Sequence, residues 1–186
     1  MRALSRIDGT VICQSFDFSD SKVVVDVGGG NGLLLSEILR VAPHLEGWLF
    51  EMSTVAAQAQ VHFDDVGLQN RTTVITGNFF DALPAGGDLY ILKRILHDWD
   101  DEEALTILQR CRQAVHGEAT LLIAETVLPE VNAEVSQAMA DMEMLVMTSG
   151  GRERTLAEFN HLLTRAGFQI KKIHQTPVFL NLIEAR

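Results

Sequence analysis

A glycine-rich segment directly after a run of valines has the composition of a ligand-binding turn. It spans Asp26 to Gly32 with the sequence DVGGGNG, in which Gly28 and Gly30 alternate with other residues before Gly32. Glycines let the backbone turn tightly and let a ligand approach it closely. A dinucleotide fingerprint would need a glycine where Leu33 stands, and the lysine of a phosphate loop is absent. An acid beside these glycines favours a nucleoside that carries positive charge, and a plain turn with surplus glycines is the alternative.

A second acid, Glu51, closes the next predicted strand at roughly 20 residues after Gly28, the distance usual for a ribose-binding acid. An acid at that place accepts hydrogen bonds from the two hydroxyls of an adenosine ribose. The alternative is a solvated acid at the start of a helix. Together with Asp26, Glu51 predicts a nucleoside site at one edge of a sheet.

The elements that position these residues alternate between short β-branched runs and longer amphipathic stretches. Strands are predicted at 22–27, 47–51, 71–76, 88–93, 119–125, 168–174 and 178–184. Helices are predicted at 32–41, 53–66, 100 or 101 to 115, 134–147 and 155–166. Such alternation predicts an α/β fold with a mostly parallel sheet covered on both faces. The last two strands are too close in sequence for a parallel crossover, so they must run antiparallel.

Composition narrows the possible partners and compartments. The chain has 186 residues, 47% of them hydrophobic, and a net charge of −10. That is the length of one domain, and unclustered basic residues in an acidic chain argue against nucleic-acid binding. No apolar run is long enough to span a membrane, and no secretory signal is recognisable. Two isolated cysteines, Cys13 and Cys111, predict neither a disulfide framework nor a metal cluster, and we expect a reducing cytoplasm.

Further motifs narrow the family. Residues 88–103 read DLYILKRILHDWDDEE, residues 125–129 read ETVLP, and residues 150–155 read GGRERT. With the glycine turn, they resemble the S-adenosylmethionine-dependent O-methyltransferases of the hydroxyindole and plant caffeate or flavonoid type, which have many bacterial members. The match runs from about residue 16 to the end. It implies S-adenosylmethionine as cofactor and a Rossmann-like class I methyltransferase fold, a mostly parallel seven-stranded sheet with the last strand antiparallel.

The resemblance assigns the catalytic residues. A phenol with a pKa near 10 must lose its proton before it accepts a methyl group, and a histidine with a pKa near 6.5 is a suitable base. His97, just past a predicted strand, is implied as that general base, flanked by Glu125 and Glu153. The alternative for His97 is a capping residue at a helix start. No metal is implied.

The resemblance also assigns ligand contacts. The implied cofactor-binding residues are Asp26, Gly28, Gly30, Gly32, Glu51, Met52, Asn78, Phe79, Lys93 and Trp99. Many relatives have an aspartate where Asn78 stands, and the Asn78 amide oxygen can accept the same adenine hydrogen bond. For Trp99 the alternative is an ordinary core aromatic. Met144 and Asp98 are implied on the acceptor side, although the methionines of that helix are mostly expected in the core, and the acids from Asp98 onward at a solvated helix start.

The N-terminus differs from the family pattern. Family members are homodimers with a further N-terminal dimerisation domain that also closes part of the acceptor pocket. The resemblance therefore implies that residues 1–15 are the stump of a connecting helix and that residues 16–186 are the S-adenosylmethionine-binding catalytic domain. The apolar positions Leu4, Ile7, Val11 and Ile12 would then form an exposed patch.

The predicted function is S-adenosylmethionine-dependent methylation of a hydroxyl, phenolic in type, on a small aromatic acceptor. The partners are that acceptor and neither a nucleic acid nor a membrane. Two alternatives remain: a truncated, inactive cofactor-binding member, or a member that catalyses a non-methylating reaction. The presence of His97, Glu125 and Glu153 favours methyl transfer.

Overall fold

A computed structural model describes the backbone of residues 2–131, 139, 141–142, 144 and 146–186, and within these ranges the side chains from Ile7 onward. The helices are α1 (Arg2–Ser15), α2 (Leu33–Val41), α3 (Ser53–Asp65), α4 (Asp101–Ala114) and α5 (Leu156–Arg165). The strands are β1 (Val23–Val27), β2 (Glu46–Glu51), β3 (Thr72–Thr76), β4 (Leu89–Lys93), β5 (Thr120–Glu125), β6 (Val127–Leu128), β7 (Arg154–Thr155), β8 (Ile170–His174) and β9 (Asn181–Ala185).

Seven strands form one sheet in the order β3-β2-β1-β4-β5-β9-β8. The pairs among β1 to β5 are parallel, whereas β9 runs antiparallel to both β5 and β8. The last strand of the chain is therefore the reversed one, which confirms the predicted fold class. Because β1, β2, β4 and β5 are parallel, their carboxyl ends meet at one edge of the sheet.

The sheet is covered on both faces, as expected for a parallel sheet. One face packs against α4 and α5 around Tyr90 and Phe159. The other face packs against α1, α2 and α3, with Ile12 and Phe63 in its core. Val24, Val25 and Val27 of β1 are buried between these two layers, which is why this run lacks the polar alternation of a half-exposed strand.

The N-terminal helix contributes to the core. Val11 and Ile12 are buried, whereas Ile7 is half exposed, so the expected apolar patch is wrong for two of its residues. Leu4 lies outside the described side chains. The reason is that α1 lies on α2 and covers the sheet through Ile12. No helix among the described residues is long and apolar enough to cross a membrane.

Some boundaries and one small element differ from prediction. The last strand begins at Asn181 instead of residue 178, because Thr176 bonds the carbonyls of Val178 and Leu180 in a turn. The unpredicted pair β6 and β7 forms a separate two-stranded parallel sheet. This pairing brings Arg154 beside the end of β5, far from it in sequence.

The predicted helix at 134–147 falls largely outside the described residues, which include helical backbone at 139, 141, 142, 144, 146 and 147. Met139, Met142 and Met147 are exposed, so the expectation that most of these methionines lie in the core is wrong for three of them. Met144 is half buried.

Candidate active site

The glycine turn joins β1 to α2 in a conformation that other residues rarely adopt. Gly28 and Gly30 have φ values of +68° and +60°, in the left-handed region that favours glycine. A Cβ on Gly30 would meet no atom within 4 Å, so this backbone is open to a ligand. Gly32 has a different role, since a Cβ there would clash with the ring of Phe63.

Asp26 lies beneath this turn at the end of β1. It is 1% exposed, and its Oδ2 has no hydrogen-bond partner among the described atoms. Burial raises the pKa of Asp26 from an ordinary 3.8 to about 7, a rise that the Lys93 ammonium opposes and the Glu51 carboxylate increases. A buried carboxylate with an unused acceptor fits a ligand that brings a positive charge.

Glu51 ends β2 and contacts the glycine turn directly. The Gly30 N–H donates to its Oε2 at 3.0 Å, and the Met52 N–H donates to its Oε1 at 2.8 Å. Each carboxylate oxygen has a further lone pair, and the side chain is only partly buried. Glu51 can therefore accept hydrogen bonds from ligand hydroxyls while it remains fixed to the turn.

A groove of about 420 Å³ continues from Glu51 along the ends of β2 and β3. It is lined by Met52, Ser53, Thr54, Thr76, Gly77 and Asn78. The Asn78 Oδ1 accepts the Phe80 N–H at 3.0 Å, so this oxygen already holds one hydrogen bond and has one lone pair for a ligand. Met52 is 55% exposed and can cover a flat ring in the groove.

Aromatic rings adjoin this groove on the side of β4. The rings of Phe80 and Trp99 meet edge to face with centroids 4.7 Å apart, and Phe79 meets Trp99 in the same manner at 6.0 Å. The Phe79 ring also lies close to Gly28, 3.7 Å from where a Cβ would be. Trp99 therefore forms part of the hydrophobic core, and Phe79 connects that core to the glycine turn.

His97 lies on the one-turn 3₁₀ helix Leu96–Asp98 that follows β4. Its Nδ1 is 3.2 Å from Glu153 Oε1 and 3.7 Å from Glu125 Oε2. All three residues are buried. The structure thus brings together the three predicted catalytic residues from β5, the 3₁₀ turn and the residue preceding β7. One nitrogen or oxygen of each lies within 4.8 Å of the others, and His97 Nδ1 and Glu153 Oε1 are at hydrogen-bond distance.

Glu125 is held by the backbone as well. Its Oε1 accepts the N–H groups of Ile95 and Leu96 at 2.9 and 2.8 Å, and its Oε2 faces His97 without a hydrogen bond in the described structure. Burial raises the pKa of Glu125, opposed by His97 and the two backbone bonds and supported by Glu153.

The charges around His97 favour its protonated form. Burial lowers its pKa, but the hydrogen bond to Glu153 and the charges of Glu125, Glu153 and Asp98 outweigh burial and raise it overall. With Nδ1 facing two carboxylates, the neutral tautomer carries its proton on Nδ1. The Nε2 is then the free acceptor, an arrangement suited to a general base.

Arg154 is a residue of this site that sequence reasoning missed. Its guanidinium is fully buried and donates to the carbonyls of Leu96 and Trp99, both at 2.7 Å, and to Asp101 Oδ1 at 3.0 Å. These bonds hold the backbone on both sides of His97. The only signal was its place in the GGRERT motif, directly after Glu153.

The residues assigned to the acceptor side differ in their positions. Asp98 is exposed, with its Oδ1 3.5 Å from His97 Nε2, on the side that the free nitrogen faces. Burial raises the pKa of Asp98, His97 lowers it and Glu153 raises it, for a net increase. Met144 contacts this region through its carbonyl, which accepts both the N–H and the hydroxyl of Thr148.

The family model of the O-methyltransferase domain matches residues 1–169. The chain belongs to this family. The O-methyltransferase domain accounts for the motifs that carried the sequence-based prediction, which is confirmed.

Two curated members of the O-methyltransferase family illustrate the relationship. The chain is 41% identical over 175 residues to the phenazine O-methyltransferase of Lysobacter antibioticus, covering 94% of this chain and 51% of that protein. It is 35% identical over 164 residues to the acetylserotonin O-methyltransferase of Mus musculus, covering 86% of this chain and 42% of that protein.

The fold is also similar to that of a solved O-methyltransferase structure. An O-methyltransferase from neocarzinostatin biosynthesis, crystallised with S-adenosylmethionine and 2-hydroxy-5-methyl naphthoic acid, superposes with a TM-score of 0.89 at 36% identity, covering 98% of this chain and 55% of that one. The chain spans about half the length of the relatives it matches.

Proposed function

We propose that this chain is the catalytic part of an S-adenosylmethionine-dependent methyltransferase that methylates a phenolic hydroxyl of a small aromatic molecule. The observation that carries the proposal is His97, whose Nδ1 lies between Glu153 and Glu125 at the same sheet edge as the glycine turn. Two relatives whose names or crystal ligands specify phenazine and naphthoic acid chemistry support an aromatic acceptor.

The residues present fit the cofactor. The unpartnered Oδ2 of buried Asp26 suits a positive charge, the Glu51 carboxylate suits ribose hydroxyls, and the groove beside Asn78 suits a flat base. Gly28 and Gly30 allow close backbone approach, and Lys93 at the end of β4 can meet a carboxylate. When bound, S-adenosylmethionine supplies an electrophilic methyl group.

The residues of this chain then handle the acceptor proton. His97 Nε2 takes the proton of the hydroxyl, and the resulting imidazolium is stabilised by Glu153 and Glu125. Glu125 is fixed by two backbone amides, so it cannot turn away when the charge forms. Asp98 and Met144 lie on the acceptor side.

Residues 1–15 and the oligomeric state form a second part of the proposal. We propose that α1 connects residues 16–186 to a dimerisation domain of the family type, since the chain covers 51% of one relative and 55% of another. Analytical ultracentrifugation measures the oligomeric state of the chain. We also propose a cytoplasmic setting, because Cys13 and Cys111 are free thiols.

Two measurements on the whole chain test the function. Calorimetry with S-adenosylhomocysteine tests the cofactor site, and transfer of a labelled methyl group to a panel of phenols tests the reaction. His97→Ala should leave binding unchanged and reduce methyl transfer by about 10²- to 10⁴-fold. His161→Ala removes an exposed histidine and is the matched control. Undiminished methylation by His97→Ala would exclude His97 as the base, and no binding by the folded chain would exclude the cofactor site.

A further inference from the structure

Arg94, between β4 and the His97 turn, has an unusual backbone conformation. Its φ is +52°, and it is the one non-glycine residue with positive φ in the described part of the chain. In this left-handed region the Cβ of an L-residue crowds the following carbonyl. Such a conformation persists when neighbouring contacts hold it, and it often has a functional reason.

A distant acid holds Arg94. Its Nε donates to Asp8 Oδ2 at 2.7 Å, and Asp8, on α1, is 3% exposed. The Arg94 N–H also donates to the carbonyl of Ala124 on β5 at 3.0 Å. The side chain and backbone of Arg94 are thus attached to two different elements, α1 and β5.

This conformation directly affects the cluster of His97, Glu125 and Glu153, here called the base cluster. The two peptide groups that follow Arg94 point their N–H groups, those of Ile95 and Leu96, at the same oxygen of Glu125. The other Glu125 oxygen lies 3.7 Å from His97 Nδ1. An extended residue at position 94 would turn these amides in another direction.

Arg94 also places a positive charge near Glu125 and Glu153. Burial lowers its pKa, and Asp8, Glu125 and Glu153 together raise it above the ordinary value, so the guanidinium lies in the field of the base's two carboxylates. The charged groups that face His97 are Glu125 and Glu153 at Nδ1 and Asp98 at Nε2. Asp141 accepts the backbone N–H of Glu153, and the cations near the cluster are Arg94 and Arg154, whose guanidinium binds the carbonyls of Leu96 and Trp99.

We propose that Asp8 and Arg94 are positioning residues for the base. The ion pair from α1 holds residue 94 in the turn that aims two backbone amides at Glu125, and Glu125 in turn orients His97. The role in catalysis rests on the proposed function, whereas the structural coupling does not. Accordingly, α1, which we propose above as the connection to a further domain, also contributes to the catalytic unit.

A double-mutant cycle on the full chain tests this coupling. Arg94→Gly keeps the turn without strain because glycine adopts positive φ freely, and Asp8→Asn removes the charge of the partner. The readout is amide hydrogen exchange at Ile95 and Leu96, which needs neither cofactor nor acceptor. Arg165→Ala, which removes an exposed ion pair with Glu102, is the matched control.

Asp8→Asn should accelerate exchange at Ile95 and Leu96 by about tenfold when Arg94 is present, because the strained turn loses its restraint. In the Arg94→Gly background it should have little further effect, since no strain remains to be restrained. Equal acceleration in both backgrounds, or none in either, would overturn the proposal.

A second readout follows the ring of His97 by NMR titration. Arg94→Gly removes a cation from beside the cluster, so His97 should titrate at higher pH than in the wild type. An unchanged or lower His97 pKa would overturn the electrostatic part. If the wild-type chain fails to transfer methyl groups while both readouts behave as expected, the proposed function fails and the Asp8–Arg94 coupling stands.

Discussion

Glu51 and Glu125 end β2 and β5 at the same edge of the sheet, with β1 and β4 between them, and each accepts two backbone N–H groups. Glu51 accepts them from Gly30 and Met52 and remains partly exposed, whereas Glu125 accepts them from Ile95 and Leu96 and is completely buried. The same bonding therefore serves two purposes. Beside the glycine turn, in the region of Asp26 and Glu51 here called the cofactor edge, the two hydrogen bonds leave a carboxylate available to a ligand. In the base cluster they fix a carboxylate beside a histidine.

The largest expected effect concerns Asp26, the buried acid of the cofactor edge. Its folded-state pKa is raised from 3.8 to about 7, so its contribution to the free energy of unfolding is fully present below 3.8 and lost as pH rises through 7. The free energy of unfolding of Asp26→Asn, taken relative to that of the wild type, should therefore be higher by about 4 kcal/mol at about pH 8 than at about pH 4.

Urea unfolding at the two pH values measures this difference. Asp20→Asn, which changes an exposed acid, is the control. Parallel pH profiles for Asp26→Asn and the wild type would show that Asp26 does not titrate in this window.

The second prediction compares the two glutamates directly. Glu125→Ala leaves one buried and one partly buried N–H group without an acceptor and should lower the free energy of unfolding by about 3 kcal/mol. Glu51→Ala also releases two N–H groups, but water can reach them, so the loss should be below about 1 kcal/mol. Urea denaturation measures both, and similar losses would remove the contrast between the two regions.

The third prediction concerns the tight packing around the 3₁₀ helix Leu96–Asp98, which carries His97. A Cβ at Gly151 would clash with the His97 carbonyl oxygen and lie 2.8 Å from the carbonyl carbon of Asp98. Gly151→Ala should displace the turn and reduce methyl transfer by about 100-fold, with S-adenosylhomocysteine binding retained. Gly117→Ala adds a Cβ with no atom within 4 Å, at a φ of +59° that strains an alanine, and serves as the control for a strained glycine substitution away from His97. A parallel loss of cofactor binding would show that the two regions are not independent.

The smallest expected effect is at Glu51 itself. Glu51→Gln retains an acceptor for backbone N–H groups but loses the charge that strengthens hydrogen bonds from ligand hydroxyls. Affinity for S-adenosylhomocysteine should fall by about tenfold, measured by calorimetry, with stability nearly unchanged. Unaltered affinity would place the ribose elsewhere.

Local sequence patterns predicted the glycine turn and the acids beside it, whereas the grouping of His97, Glu125 and Glu153 was implied only by the resemblance to a family. The glycine turn lies between a valine run and an amphipathic helix, so Asp26, Gly28 and Glu51 could be placed from local patterns. Family and fold were confirmed together with the strand order that ends in a reversed strand.

The rest depends on contacts between distant segments. Arg154 reaches the carbonyls around His97 across more than fifty residues, and Asp8 reaches Arg94 across more than eighty. No local period or propensity encodes such pairs. The left-handed conformation of Arg94 had no sequence signal either, because arginine is not a residue that usually adopts it.

The short pairing of β6 with β7 has a consequence for how this molecule can vary. It joins Val127–Leu128 to Arg154–Thr155 and so closes a loop just outside the base. The entropy of closing a loop grows only logarithmically, about 0.6 kcal/mol for each doubling of length. Lengthening or shortening of the chain between β6 and β7 would therefore cost little loop-closure entropy, provided that the contacts of Asp141, Thr148 and Gly151 beside His97 and Glu153 are kept.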